Sequence, residues 1–162
     1  MKLIHIVGRK NHGKTTLVTA LLEEFRRRGI RVGSIKHSPH VHELDTPGKD
    51  SHRHRLAGAS PVAVVTSDLL GVYIPRTGDE FLNLLAPLFA PCRLVLVEGF
   101  VDGPGKKIEV WRAERQTTPL ALEHDDIAAV VSDDQPDVTV PVWPRSDVTA
   151  LVDRILDLAD ST

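Results

Sequence analysis

The feature that most constrains this chain is a short glycine-containing loop between an apolar run and an amphipathic segment. Residues 8–15 read Gly-Arg-Lys-Asn-His-Gly-Lys-Thr and fit the pattern G-x-x-x-x-G-K-[ST]. The apolar run 3–7 predicts a strand, and apolar residues at helical spacing predict a helix over residues 16–28. In that context backbone amides surround phosphate oxygens at the helix N-terminus, where the partial positive charge favours anions. The sequence therefore predicts a phosphate-binding loop.

Two side chains of this loop have roles that follow from their chemistry. The Lys14 ammonium is expected to reach the β- and γ-phosphates of a nucleotide, and the Thr15 hydroxyl is expected to face Mg²⁺. The other predicted nucleotide-binding residues belong to the same segment and are Gly8, Arg9, Lys10, Asn11, His12, Gly13 and Thr16.

The pattern of predicted elements indicates an α/β fold. Residues 93–97 and 127–131 are apolar runs typical of strands buried on both faces, and residues 61–66 and 69–74 predict a hairpin. Further helices are predicted over residues 51–59, 79–89 and 146–159, the last capped by Ser146. Strands that alternate with helices predict the three-layer sandwich of a P-loop NTPase, mostly parallel with an antiparallel hairpin extension. At 162 residues the whole chain, 1–162, is expected to form a single nucleotide-binding domain.

Composition narrows the classes of function. With 20 basic and 22 acidic residues the net charge is −2, which gives no reason to expect a nucleic-acid or membrane-surface partner. Cys92 is the only cysteine, so an internal disulfide is excluded. No signal-peptide pattern precedes the first strand and no apolar run approaches ~18 residues, so the cytoplasm is the expected compartment.

The sequence offers two acidic candidates for holding a metal beside the loop. Glu98 follows the apolar run 93–97, and a carboxylate at the end of a buried strand can hold Mg²⁺ through a water. Asp45 lies in the long polar segment after the predicted strand that ends with Lys36. It is the one catalytic candidate if it approaches the metal or the attacking water. The alternative is that Asp45 starts a turn before Pro47.

Residues for reading the base are less well defined. Ser132 and Asp133 follow the predicted strand 127–131, late in the chain, and the guanine-reading sequence N-K-x-D is absent. Asp133 either accepts hydrogen bonds from guanine N1 and N2 or forms an exposed acidic turn.

Five histidines fall between positions 37 and 54, at His37, His40, His42, His52 and His54. The two H-x-H pairs among them either bind Zn²⁺ or Ni²⁺ or belong to a solvated surface loop. Positions i and i+2 share a face in an extended segment and not in a helix, which argues against the pair His52 and His54.

Several segments together resemble one family, MobB, the GTP-binding adapter of molybdopterin guanine dinucleotide biosynthesis. They are residues 8–16, 29–37, 45–51 and 96–100, followed in the family's order by 107–112 and 128–133. The resemblance spans nearly the whole chain. It implies a protein that binds GTP and Mg²⁺, hydrolyses GTP weakly, forms a homodimer and assists the guanylyltransferase that joins GMP to molybdopterin.

Two other functions remain open from the residues alone. The histidine cluster motivates a nickel metallochaperone GTPase, and the phosphate loop is also compatible with a small-molecule kinase. The sequence also does not distinguish true GTPase turnover from GTP binding that only stabilises a conformation recognised by a partner.

Overall fold

The structure is a computed structural model that describes residues 1–76, 78 and 80–161. Along the chain its helices and strands are β1 (Leu3–Val7), α1 (Lys14–Arg27), β2 (Val32–Lys36), α2 (Asp50–Leu56), β3 (Val62–Val65), β4 (Leu70–Tyr73), α3 (Phe81–Phe89), β5 (Leu94–Glu98), β6 (Lys106–Val110), β7 (Ile127–Val131), β8 (Val142–Trp143) and α4 (Val148–Asp160). Two short 3₁₀ turns, Ala113–Arg115 and Leu120–Leu122, lie between β6 and β7.

In the described part of the chain, six strands form one sheet in the order β2-β5-β1-β6-β7-β8, and every pairing in it is parallel. Strands β3 and β4 form a separate antiparallel pair. The predictions of a mostly parallel sheet and of the hairpin are therefore confirmed. Parallel pairing brings the carboxyl ends of all six strands to one edge, which is where ligands of such sheets bind.

The main core lies between the sheet and the helices α1 and α4. Alternate residues of the strands, such as Ile4 and Ile6 of β1, point toward Leu21 and Phe25 of α1 and toward α4. These four side chains are at least 99% buried, which stabilises the fold by about 1.5–3 kcal/mol for each large apolar group. Packing on this core fixes the first turn of α1 beside the end of β1.

The opposite face of the sheet is covered by loops, a 3₁₀ turn and the end of α3. Val7 packs there with Leu120 and Ile127. On β2, a Cβ added at Gly33 would lie 2.3 Å from the ring of Phe89, so only glycine leaves room for that ring. None of the described helices has the length and apolar character needed to cross a membrane.

The chain divides into two compact units. One contains Met1–Pro39 and the chain from Leu88 onwards, and the other is His40–Pro87. The second unit holds α2, the hairpin and most of α3. The predicted start of α3 at Asp79 lies outside the described residues, and the helix continues through Pro87 to Phe89.

Two sequence-based details differ from the structure in the last part of the chain. The predicted cap Ser146 does not cap α4; Asp147 does, because its Oδ1 accepts a hydrogen bond from the amide of Ala150 at 3.0 Å. Strand β8 was not predicted, because two residues are too few to show a periodic pattern.

Candidate functional site

The phosphate loop connects β1 to α1, and its two glycines are required by its geometry. Gly8 has φ 139°, and a Cβ there would lie 2.5 Å from the carbonyl oxygen of Val110. Gly13 precedes α1 with φ 85°, in the left-handed region that glycine adopts without strain. Because Gly13 has no side chain to cap the helix, the first amides of α1 remain suited to bind an anion.

The Lys14 side chain lies across this loop. Its Nζ donates hydrogen bonds to the carbonyl oxygens of Gly8 and Arg9, both at 2.7 Å. Burial and the nearby charge of Lys36 lower the pKa of Lys14. A partly desolvated ammonium held over a ring of backbone groups is well placed to meet the oxygens of a phosphate.

Thr15 and Glu98 meet where the loop joins the carboxyl end of β5. The Thr15 hydroxyl donates to Oε1 of Glu98 at 2.7 Å, and the ammonium of Lys36 also donates to that oxygen. Glu98 is 93% buried, and burial alone would raise its pKa. The hydrogen bonds from Lys36 and Thr15 outweigh burial and lower the pKa, so the carboxylate is ionised at neutral pH.

The register of the sheet explains this arrangement. Glu98 pairs with Lys36 of β2 and with Ile6 of β1, so it ends its strand between the β2 terminus and the phosphate loop. A hydroxyl and a carboxylate side by side are the hard oxygen donors that Mg²⁺ prefers. The residues present therefore fit a magnesium ion beside the loop.

Asp45, the third metal candidate, belongs to the second compact unit. Its Oδ1 accepts hydrogen bonds from the amide of Thr46 at 2.8 Å and from the hydroxyl of Ser51 at 2.9 Å. Its Oδ2 is buried. These contacts are those of a turn that leads into α2, and a metal or catalytic role for Asp45 stays a prediction.

The other residues of the loop differ in their surroundings. Lys10, Asn11 and Thr16 are exposed, and Asn11 has φ 66°. Arg9 forms an ion pair with Glu123. Their role in nucleotide binding stays a prediction.

His12 is the buried residue of the loop, and it attaches the loop to the chain after β6. Its Nδ1 accepts a hydrogen bond from the amide of Arg112 at 3.0 Å, and its Nε2 lies 3.1 Å from the hydroxyl of Thr117. Burial, followed by the positive charges of Lys14 and three arginines, lowers the pKa of His12. The ring is therefore neutral and acts as a fixed brace between two loops.

The two predicted base-reading residues lie at the carboxyl end of β7, and both are tied to neighbouring backbone. Oδ1 of Asp133 accepts from the amide and the hydroxyl of Ser146, at 2.9 and 3.0 Å, and these bonds lower the pKa of Asp133. The hydroxyl of Ser132 accepts from the amide of Asp134 at 3.0 Å. The arrangement holds an ionised carboxylate on the β6–β8 side of the loop.

Two arginines that lie outside the sequence motifs also contact the loop. Arg145 donates to the carbonyl oxygens of His12 and Gly13, at 3.1 and 3.2 Å, and the guanidinium of Arg112 lies beside Gly13. The sequence signal that could have found them is a cation shortly after an apolar strand, in Trp111-Arg112 and Trp143-Pro144-Arg145.

The histidines of the long loop are distributed over both units. His37 stacks on Phe100, with ring centroids 4.3 Å apart, in the first unit. In the second unit the rings of His40 and His42 are 6.1 Å apart and edge to face, and His52 faces Glu43. His54 is exposed on α2. Among the described residues, no three histidine, cysteine or acidic side chains form a group that could hold a metal ion.

The first strand of the parallel sheet leads through a glycine loop and a lysine into a helix, and the neighbouring strand ends in a carboxylate. Together these features define a class of protein. The chain has the fold and the loop of the P-loop class of proteins.

Comparison with known proteins narrows the class. The family model of molybdopterin guanine dinucleotide synthesis protein B, MobB, matches residues 3–133. The molybdopterin-guanine dinucleotide biosynthesis adapter protein of Haemophilus influenzae is 38% identical over 80% of this chain and 74% of its own. The protein of the same name from Escherichia coli is 35% identical over 90% of this chain and 86% of its own. A crystal structure of MobB from Bacillus subtilis, 26% identical, superposes with a TM-score of 0.75 over 98% of each chain.

The chain belongs to the MobB family. The resemblance inferred from the phosphate loop and the segments after it is thereby confirmed.

Proposed function

We propose that this chain binds GTP with Mg²⁺ and acts as an adapter in the synthesis of molybdopterin guanine dinucleotide. The observation that carries the proposal is the geometry around the loop, where Lys14 spans the backbone carbonyls and Thr15 meets Glu98. Family membership supports the adapter role over the nickel metallochaperone and the small-molecule kinase. The partner is the guanylyltransferase that joins GMP to molybdopterin, and the compartment is the cytoplasm.

The site supports weak hydrolysis at most. A general base must be able to take a proton from water near neutral pH. The carboxylate of Glu98, which lies beside the loop, already accepts hydrogen bonds from Thr15 and Lys36, and its lowered pKa makes it a poor base. GTP on this site therefore acts mainly as a bound state that the partner recognises.

We also infer that the chain forms a homodimer through the hairpin of the second unit. Alternation along the paired strands β3 and β4 places Ala63 and Val65 on the same face as Leu70 and Val72. Val65 is 75% exposed and Leu70 68% exposed, so this hairpin face is apolar and open. A two-stranded sheet alone is marginally stable in water, and a second copy related by a twofold axis would cover the same face on both chains.

Isothermal calorimetry with GTP and Mg²⁺ tests the nucleotide site. Lys14→Ala removes the ammonium and is expected to weaken GTP binding about ten- to over a hundred-fold, since a charge-assisted contact contributes ~1.5–3 kcal/mol. Lys106→Ala, at the opposite edge of the sheet, is the matched control and is expected to bind GTP as the unmodified chain does. Equal affinity in the Lys14→Ala variant would reject the site.

The adapter role is tested by capture of purified guanylyltransferase on the immobilised chain, with and without GTP. Retention that increases with GTP and is lost in Lys14→Ala is expected. Retention that is absent under all conditions would contradict the role.

A further inference from the structure

The sheet order assigns the two ends of a bound nucleotide to opposite sides of β1. Strands β5 and β2 lie on one side, and their ends carry Glu98 and Lys36, next to Thr15. That side is suited to the metal and the terminal phosphate. Strands β6, β7 and β8 lie on the other side, so the remainder of the nucleotide extends over their carboxyl ends.

Two guanidinium groups occupy this second side and meet at Gly13. A Cβ built on Gly13 would lie 2.7 Å from Nη2 of Arg145 and 2.9 Å from Nη2 of Arg112. The two groups are therefore neighbours that approach the same point of the phosphate loop. Arg112 follows β6 and Arg145 follows β8, so the fold brings them together from positions 33 residues apart in the chain.

The pair has more positive charge than the nearby carboxylates neutralise. Arg112 faces Glu114 at 3.5 Å, and Arg115 shares that carboxylate at 3.4 Å. Within the described ranges Arg145 forms no salt bridge, and its hydrogen bonds go to loop carbonyls. Burial, together with the charge of Arg112, lowers the pKa of Arg145. Two partly desolvated cations side by side favour a ligand that presents hydrogen-bond acceptors.

We propose that Arg112 and Arg145 hold the nucleobase and select guanine by donating hydrogen bonds to its O6 and N7. This inference rests on the proposed GTP-binding function. A guanidinium has five N–H donors and no acceptor. Guanine presents two acceptors, O6 and N7, on one edge, whereas adenine presents N7 beside the N6 amino donor. The arginine pair therefore matches guanine and opposes the adenine amino group.

Asp133 complements this pair on the same side of the loop. Its carboxylate is ionised and fixed by the backbone and hydroxyl of Ser146, the residue that follows Arg145. The loops after β6 and β8 then supply donors for O6 and N7, and the loop after β7 supplies an acceptor for N1 and N2, without the sequence N-K-x-D.

The test measures affinities for GTP, ATP, 7-deaza-GTP and inorganic tripolyphosphate, each with Mg²⁺. The unmodified chain is expected to prefer GTP over ATP, and to bind 7-deaza-GTP more weakly because it lacks the N7 acceptor. Arg112→Ala is expected to reduce the preference for GTP over ATP about ten- to a hundred-fold and to bind GTP and 7-deaza-GTP alike. Tripolyphosphate affinity is expected to change little.

Arg145→Ala also removes hydrogen bonds to the loop, so Arg145→Lys is measured beside it. The lysine retains the charge but carries its three donors on one nitrogen, so it lacks the planar pair of N–H groups that a guanidinium presents. It is expected to lose base discrimination while retaining tripolyphosphate binding. Arg26→Ala, exposed at the far end of α1, is the control.

The outcomes separate this inference from the proposed function. An equal loss for GTP, ATP and tripolyphosphate would overturn it and assign the arginines to the phosphates. An unchanged GTP preference in Arg112→Ala and Arg145→Lys, with binding still dependent on Lys14, would also overturn it while the nucleotide site stands. Absence of any Lys14-dependent GTP binding would reject the proposed function itself.

Discussion

At the scale of single residues, the carboxylate of Glu98 accepts hydrogen bonds from a hydroxyl and an ammonium at the same oxygen. The Lys36 ammonium is the positive charge that this carboxylate contacts. A magnesium ion bound to Glu98 would take the place of that ammonium, so the lysine and the metal compete for one carboxylate. Nucleotide affinity should therefore depend on Glu98 only when Mg²⁺ is present.

Glu98→Gln keeps the size of the side chain and an oxygen for Thr15 but removes the charge. We expect GTP binding in Mg²⁺ to weaken about tenfold or more, because a contact to a charged group contributes ~1.5–3 kcal/mol. In EDTA the affinity should be nearly that of the unmodified chain. Glu23→Gln, exposed on α1, is the control. Equal weakening with and without Mg²⁺ would reject the metal role, as a folding defect would produce it.

A second residue-scale consequence concerns His12. The amide of Arg112 donates to Nδ1, so that nitrogen cannot carry a proton while the brace is intact. The pKa of His12 is lowered from 6.5, and the pKa of the buried His5 is lowered as well, mainly by burial. Between the folded and unfolded pKa values the unfolded chain binds more protons, so the free energy of unfolding rises with pH.

We expect stability to be complete above about pH 6.5 and to fall as the pH decreases below it, by at most ~1.4 kcal/mol per pH unit for each histidine. His12→Asn keeps an acceptor at the Nδ1 position and should reduce the slope of stability against pH. His54→Asn, on the exposed surface of α2, is the matched control. Urea unfolding at pH 5, 6, 7 and 8 measures the slopes, and an unaltered slope in His12→Asn would contradict this account.

Whether a residue of the site can be predicted from the sequence depends on how far apart its contact partners lie along the chain. Lys14 and Thr15 belong to a local motif, and Glu98 ends an apolar strand, so their places in the site follow from short patterns. The contacts of His12 with Arg112 and of Arg145 with His12 join residues 100 and 133 positions apart. No periodicity or spacing encodes these contacts, because they depend on the order of strands in the folded sheet.

At the scale of elements, the start of α4 shows how adjacent polar residues divide two tasks. Ser146 binds Asp133, and Asp147 satisfies the amide of Ala150 in the first turn of the helix. Both residue types are good caps, so the sequence alone does not separate them. The separation comes from β7, whose end supplies the carboxylate that binds Ser146.

Asp147→Ala is expected to lower the free energy of unfolding by about 1 kcal/mol, the usual cost of losing a helix cap. Asp157→Ala removes an exposed carboxylate from the last turn of the same helix and should leave stability unchanged or slightly higher, since a negative charge there opposes the helix dipole. Thermal and urea unfolding measure both variants. Equal effects of the two substitutions would show that Asp147 does not act as a cap.

At the scale of the whole molecule, the apolar face of the hairpin is the feature that association would explain. The hairpin was predictable, since two alternating β-rich runs flank the pair Ser67-Asp68. The exposure of its apolar face was not predictable, because alternation shows which residues share a face but not which face is covered. A second copy of the chain is the occupant proposed above.

The homodimer is tested by substitutions on that face. Val65 and Leu70 are directly paired across the two strands, so Val65→Asp and Leu70→Asp place a charge at its centre. In a twofold interface each substitution occurs on both chains, which brings like charges together and removes apolar contact from both sides. We expect the dissociation constant of the dimer to increase about a hundred-fold or more, as measured by sedimentation equilibrium at several concentrations. Leu122→Asp, at an equally apolar and 55% exposed position of the first unit, is the control and should leave the dimer intact. A dimer that survives both hairpin variants, or one that Leu122→Asp also disrupts, would place the interface elsewhere.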